Sequence, residues 1–303
     1  MANDRTKLWK RLLVASFFVG FASCLFTRKT FAVFIPLLIH DLQWRESNIG
    51  AISSSFVIGF ALSQVALSTL PNRISLRWVY TVCVLGSGLI NILLGLFHHS
   101  LLSFGALWLV NGFFQGFAWP SIVRMTTAWY SADERGKILG IAGVGGNLAG
   151  MMAPAVFQFL AIWFRGWRQV FVITGVCSVV ISGIVAVITR GSPAEVLKNV
   201  SNDAHAHKKE QSKLSETTKR TSMKTVFTSG LFWVMCLSHL LCNFAKCVLC
   251  DWTQLYLIQD KKWDQEQAIL TLGAYELGGV VGCLLVGFLA DCLMKRVDDM
   301  LNL

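Results

Sequence analysis

Apolar residues in this chain come in blocks of about twenty or more, the length that carries a helix across about 30 Å of hydrocarbon at 1.5 Å per residue. Eight such blocks predict eight spans: Leu12–Ile39, Asn48–Leu70, Leu76–Phe97, Leu101–Trp129, Lys137–Trp163, Gln169–Thr189, Leu231–Ile258 and Gln267–Ala290. Polar residues fall between the blocks. The longest polar stretch, Arg190–Lys224, is rich in Lys, Ser, Thr and His and separates the sixth span from the seventh. The expected fold class is all-α, a polytopic membrane protein embedded in a lipid bilayer.

Composition agrees with the pattern. Hydrophobic residues make up 54% of the chain and charged residues only 15%, where a soluble domain carries about a quarter charged. The net charge of +10 would suit nucleic acid, but its placement argues for a membrane. Lys and Arg concentrate at the amino terminus, at Arg73 and Arg77, at Arg135 and Lys137, in the long polar stretch and at Lys295 and Arg296. The alternate loops hold fewer, so the amino terminus and the central loop are expected in the cytosol. No basic face interleaved with aromatics stands outside the loops, and no nucleic-acid partner is expected. Met1–Arg11 is basic and the run after it too long for a signal peptide, so the first span is expected to act as its own insertion signal. The nine cysteines lie mostly inside apolar blocks and read as small buried hydrophobes. The same holds for Cys247 and Cys250, whose C-x-x-C has no βαβ context. The sequon Asn199-Val-Ser201 would face the cytosol and stay bare.

The chain also repeats itself. Displaced by 219 residues, Leu38 meets Leu257, Ile39 meets Ile258, Asp41 meets Asp260 and Trp44 meets Trp263; further on Gly59 meets Gly278 and Arg77 meets Arg296. One displacement held over about forty residues without a gap points to parallel repeats of six helices joined by a cytosolic loop, the plan of major facilitator transporters. The expected organisation is an amino-terminal repeat over 1–189, a loop over 190–224 and the start of a second repeat over 225–303. On that plan eight of twelve helices are present, and the chain reads as truncated at its carboxyl end.

Charges at membrane depth are costly and mark function. Arg28 and Lys29 sit deep in the first span, more than ten residues from its nearer edge. Arg offers a planar fork and Lys a point charge, and the pair suits a phosphoryl group of about −1.5 to −2. Lys246 lies mid-way along the seventh span, and the 219 displacement puts it opposite Thr27. Each repeat would thus present a cation at one depth, unless Lys246 is neutralised by Asp251 or Glu276. Arg124 reads as a snorkelling cation near the cytosolic edge. Asn111, Gln115, Trp119, Asn147, His239, Asp251 and Glu276 are candidates to line a cavity, though hydrogen bonds between helices are the preferred reading for the three amides and His239. Gly112 with Gly116, Gly146 with Gly150 and Gly278 with Gly282 read as close helix packing. Gly287-Phe288-Leu289-Ala290-Asp291 followed by Lys295 and Arg296 resembles the loop signature of major facilitator transporters, and the resemblance implies a cytosolic latch with Asp291 and Arg296 its charged members. No nucleophile–base set, metal-ligand spacing or cofactor motif stands out, so an enzyme is not expected.

Arg28-Lys29-Thr30-Phe31, the run from Ala106 to Pro120, Asn147-Leu148-Ala149-Gly150 with Pro154, Gly166-Trp167-Arg168, and Lys246 with Asp251-Trp252 and Gln254 together resemble the organophosphate:phosphate antiporters, across nearly the whole chain. The likeness is to the branch of that family that carries glucose 6-phosphate in the endoplasmic reticulum membrane. It implies exchange of a sugar phosphate for inorganic phosphate by alternating access, with the phosphoryl group on Arg28, Lys29 and Lys246. The rivals are a carrier of another organic anion, such as glycerol 3-phosphate, and a shortened form that does not transport. The oligomeric state is left open.

Overall fold

In a computed structural model, residues 2–69, 74–97, 100–197 and 223–301 are described. Most of the 190–224 stretch, the sequon, Arg73, His98 and His99 lie outside them. Every regular element among the described residues is a helix: α1 Ala2–Leu42, α2 Glu46–Thr69, α3 Leu76–Leu96, α4 Leu101–Gly116, α5 Ala118–Trp129, α6 Ala132–Trp163, α7 Trp167–Ile188, α8 Pro193–Leu197, α9 Met223–Phe227, α10 Gly230–Cys247, α11 Thr253–Gln259 and α12 Gln265–Leu301. Among the described residues, six helical stretches are long and apolar enough to cross a membrane, from Thr6–Leu42 to Trp167–Ile188. They coincide with the first six predicted spans. The last two are helical as well: Leu231–Ile258 falls on α10, a π turn and α11, and Gln267–Ala290 lies within α12. Large apolar side chains lie bare on the outside, among them Leu102 at 83%, Ile162 at 79% and Trp163 at 72% exposure. In water such a surface would aggregate; in a bilayer it is the solvated one.

The described chain forms two compact units, Met1–Ser192 with Gly273–Leu303, and Pro193–Leu272. In the first, α3 packs on α7, α2 on α4, and α1 on α6 and α7. One apolar cluster gathers at one end. Phe31, Phe34 and Leu38 of α1 meet Ile52 and Phe56 of α2, Phe104 and Trp108 of α4, Phe157 of α6, and Trp167 and Phe171 of α7. Small residues let the helices approach. A Cβ at Gly59 would overlap the Leu109 carbonyl, and one at Gly112 the Phe56 carbonyl, so α2 and α4 touch backbone to backbone. The expectation for Gly278 and Gly282 fails: both face open space, whereas Gly279 packs against Asn147 and Gly287 against the Gly136 carbonyl. Gly279 and Cys283, each one residue further along than the expected pair, turn toward the neighbour, with Gly287 four beyond Cys283.

Two predicted spans are interrupted. The fourth breaks at Phe117, between α4 and α5. Pro120 has no N–H to give the Gly116 carbonyl, and the Gln64 side chain supplies the missing donor at 2.7 Å. The seventh is divided by a π turn, Val248–Trp252, between α10 and α11.

The cysteines are not uniformly buried. Cys24 and Cys83 are, 3.9 Å apart at sulfur, but Cys177, Cys236, Cys242 and Cys292 are exposed. The side chains of Cys247 and Cys250 lie outside the described residues.

Candidate functional site

Successive residues of a helix point about 100° apart, and α1 uses this to aim Thr27, Arg28, Lys29 and Thr30 at different neighbours. Thr27 and Thr30, three apart, share the face toward α3 and α4. Thr27 Oγ1 lies 2.8 Å from Ser87 Oγ, and Thr30 Oγ1 donates to Asn91 Oδ1 at 2.9 Å. Gln115 Nε2 on α4 donates to Ser87 Oγ at 2.8 Å and to Asn111 Oδ1 at 3.3 Å. All six side chains are buried. In a membrane such bonds average about 0.6 kcal/mol each, so the network contributes less through its total strength than through the single rotation it fixes for α1.

That rotation sets the two cations. Arg28 turns to α2 and lays its guanidinium 4.6 Å from the centre of the Phe56 ring, a contact between cation and ring face. It has no carboxylate within 4 Å among the described residues. Lys29 turns to α12, where its Nζ lies 2.7 Å from Glu276 Oε1, with the two side chains only 12% and 6% exposed. Gly150 makes room for this pair: a Cβ there would stand 2.7 Å from the Glu276 carboxylate. One cation is therefore neutralised inside the protein, and the other is not.

The remaining candidates divide. Asn111 and Gln115 belong to the network, and Asn111 Nδ2 is buried with no partner among the described residues. Asn147 bridges helices by donating to Cys283 Sγ at 3.2 Å. Trp119, half exposed, packs its ring 5.2 Å from that of Phe21. Lys246 stands exposed in the last turn of α10, in the second unit. His239 is exposed on the same helix, and its carbonyl accepts from Asn243 Nδ2 at 2.8 Å. Glu276, one of the acids considered for Lys246, is the partner of Lys29. Arg124 is exposed. Asp251 lies in the π turn and Asp291 and Arg296 in α12, their side chains outside the described residues. Sequence reading passed over Ser87 and Asn91, and took Thr30 only as part of a motif. Their signal was present: Ser87 and Asn91 are four apart on one face of an otherwise apolar helix, where polar residues need a partner.

The end of the unit that holds the amino terminus is tied differently. Tyr130, between α5 and α6, donates from its hydroxyl to the Lys10 carbonyl at 2.8 Å, while Lys10 Nζ lies 4.8 Å over the Tyr130 ring and 3.6 Å from Glu134. Burial, and then the nearby Glu134 charge, push the Tyr130 phenol up to about 12.

The family profile described as "Major Facilitator Superfamily" matches residues 17–297. A probable hexose phosphate transport protein of Chlamydia trachomatis is 29% identical over all of this chain and 69% of its own length. The membrane sensor protein UhpC of Escherichia coli is 28% identical over 99% of this chain and 69% of its own. The glycerol-3-phosphate transporter of Bacillus subtilis is 26% identical, covering 95% and 67%. Among solved structures, a bacterial homolog of the human lysosomal transporter Spinster, in an inward-facing occupied conformation, superposes with a TM-score of 0.59 at 16% identity over 86% of this chain and 57% of that one. At that identity the likeness concerns the fold.

Proposed function

We propose that this chain, which belongs to the Major Facilitator Superfamily, carries a sugar phosphate across its membrane in exchange for inorganic phosphate, by alternating access. The observation that carries the reading is the unequal state of two adjacent cations at membrane depth. Lys29 is paired with Glu276, and among the described residues Arg28 has only a ring face. An uncompensated cation in a low-dielectric interior is costly, and a phosphoryl dianion offers Arg28 the bidentate partner its fork fits. Its oxygens would also compete with Glu276 for Lys29. Closing around an empty site would bury the Arg28 charge alone, so an exchange in which one anion always replaces another follows from the electrostatics. Lys246 is taken as the contribution of the second repeat, within the plan of repeats over 1–189 and 225–303 joined by 190–224. The basic loops support a cytosolic amino terminus. The relatives named above are bacterial, so an endoplasmic reticulum location rests on the family resemblance and is tested by localising the tagged protein.

The test is counterflow into proteoliposomes loaded with glucose 6-phosphate, with labelled phosphate outside. Uptake above that of empty vesicles, inhibited by free phosphate and glucose 6-phosphate but not by carboxylates, is the expected result. Absence of inhibition by phosphate would overturn it. Stronger inhibition by glycerol 3-phosphate would move the substrate toward that of the Bacillus subtilis relative. The likeness to a membrane sensor favours a second reading, in which a sugar phosphate is bound and not moved; saturable binding without counterflow would select it.

A further inference from the structure

Directly after Lys246 and Cys247 the helix widens into the π turn Val248–Trp252, and α-helix resumes at Thr253. A single π turn holds one residue more than the α-helix on either side of it. Thr253 Oγ1 helps to satisfy the loosened backbone by donating to the Val248 carbonyl, five residues back, at 3.4 Å. The corresponding part of the first repeat has no such feature, because α1 runs unbroken from Ala2 to Leu42.

The internal repeat shows a jump of the same size at the same place. Beyond the turn, the 219 displacement pairs Leu38 with Leu257, Ile39 with Ile258, Asp41 with Asp260 and Trp44 with Trp263. Between Phe232 and Lys246 that displacement brings no identical residues together. Reduced by one, it pairs Cys24 with Cys242, Phe26 with Phe244, and Arg28 with Lys246. Both repeats then read Cys-x-Phe-x-basic. The sequence register slips by one residue where the backbone carries one residue extra.

We propose that the π turn is a one-residue insertion confined to the second repeat, and that Lys246 is the positional counterpart of Arg28, not of Thr27. Absorbed as ordinary α-helix, the extra residue would rotate one side of the helix against the other by about 100° and displace it by about 1.5 Å. Gathered into the turn, it leaves the basic segment before it and the Leu257–Trp263 segment after it each on its own face. Lys29 then falls opposite Cys247 and has no charged counterpart, in keeping with its separate neutralisation by Glu276.

The experiment has two parts, and only the second rests on the phosphate-exchange reading. In the full chain, spin labels placed one at a time from 240 to 258 are read for accessibility. The expected pattern is two helical phases offset by one residue across 248–252, which merge into one when Leu249 is deleted. A single unbroken phase in the parent overturns the proposal. In proteoliposomes, deletion of Leu249 is expected to keep phosphate uptake within the parent's order of magnitude. Deletion of Leu241 in α10 or Tyr256 in α11 abolishes it. Equal loss in all three, with the parent active, overturns the proposal. If the parent itself takes up no phosphate, the functional reading fails, while the label phases still decide the insertion.

Discussion

The two cation-bearing helices, α1 around Arg28 and α10 around Lys246, share a short frame and differ in almost everything around it. In α1 the frame sits in an unbroken α-helix, pinned by Ser87, Asn91 and Gln115, with Phe56 under Arg28 and Glu276 against Lys29. In α10 it ends in a π turn, and Lys246 is exposed with no ion-pair partner among the described residues. A basic residue at membrane depth is therefore not one kind of object. The helix that bears Arg28 is held by a buried polar network on another of its faces, whereas Lys246 stands exposed just before a change in backbone geometry.

The largest effect that would break this comparison is loss of the unpaired cation. Arg28→Ala is expected to weaken phosphate binding by about 10- to 100-fold, the worth of about 1.5–3 kcal/mol for a hydrogen bond to a charged group. Scintillation proximity with labelled phosphate measures it, and near-normal affinity would remove Arg28 from the site. The paired cation should behave otherwise. Lys29→Met or Glu276→Met alone leaves a buried charge without its partner and costs about 3–5 kcal/mol of stability, while the double substitution recovers most of it. Thermal denaturation in detergent would show this, and an additive double variant would mean that the ion pair contributes little. Phosphate exchange is not recovered by the double variant if Lys29 also holds substrate.

Smaller effects sharpen the contrast. Gln115→Leu removes the donor that joins Ser87 and Asn111 and is expected to cost about 0.6–1.7 kcal/mol. It should lower phosphate affinity only by loosening α1, so Gln115→Glu, which keeps an acceptor and not the donor, would not rescue it. The smallest lies outside the membrane-spanning segments. The fold holds the Tyr130 phenol up to about 12, above its usual value of about 10, so it favours the neutral form. That stabilisation is complete below pH about 10 and is lost as pH rises through about 12. Tyr130→Phe should lower the melting temperature slightly at neutral pH and flatten its decline in this alkaline window, as followed by tryptophan fluorescence.

Much of the architecture was legible because the bilayer imposes a length. The first six spans coincide with the helices because an apolar run that crosses hydrocarbon has no other structure available to its backbone. Where a break depended on chemistry at a distance, the sequence was mute. Pro120 was visible, yet the Gly116 carbonyl it leaves unpaired is satisfied by Gln64 from another helix. Gly278 and Gly282 have the spacing of a packing motif, but α12 presents Gly279 and Gly287 to its neighbour, because spacing fixes a face and not the direction in which the face is turned. The same holds at the site. Arg28 and Lys29 stood out by the cost of charge in lipid, while nothing local told one from the other.

The sequence by itself determined that this chain lives in a membrane, that it repeats, and which few residues carry charge where charge is expensive. Those are properties of composition and period, summed along the chain and independent of who meets whom. Tertiary structure decided which cation is neutralised. Lys29 and Glu276 are 247 residues apart in sequence and 2.7 Å apart in space, and the 100° that separates Lys29 from Arg28 becomes a difference of partner, a carboxylate or a ring face, only once α2 stands on one side of α1 and α12 on another.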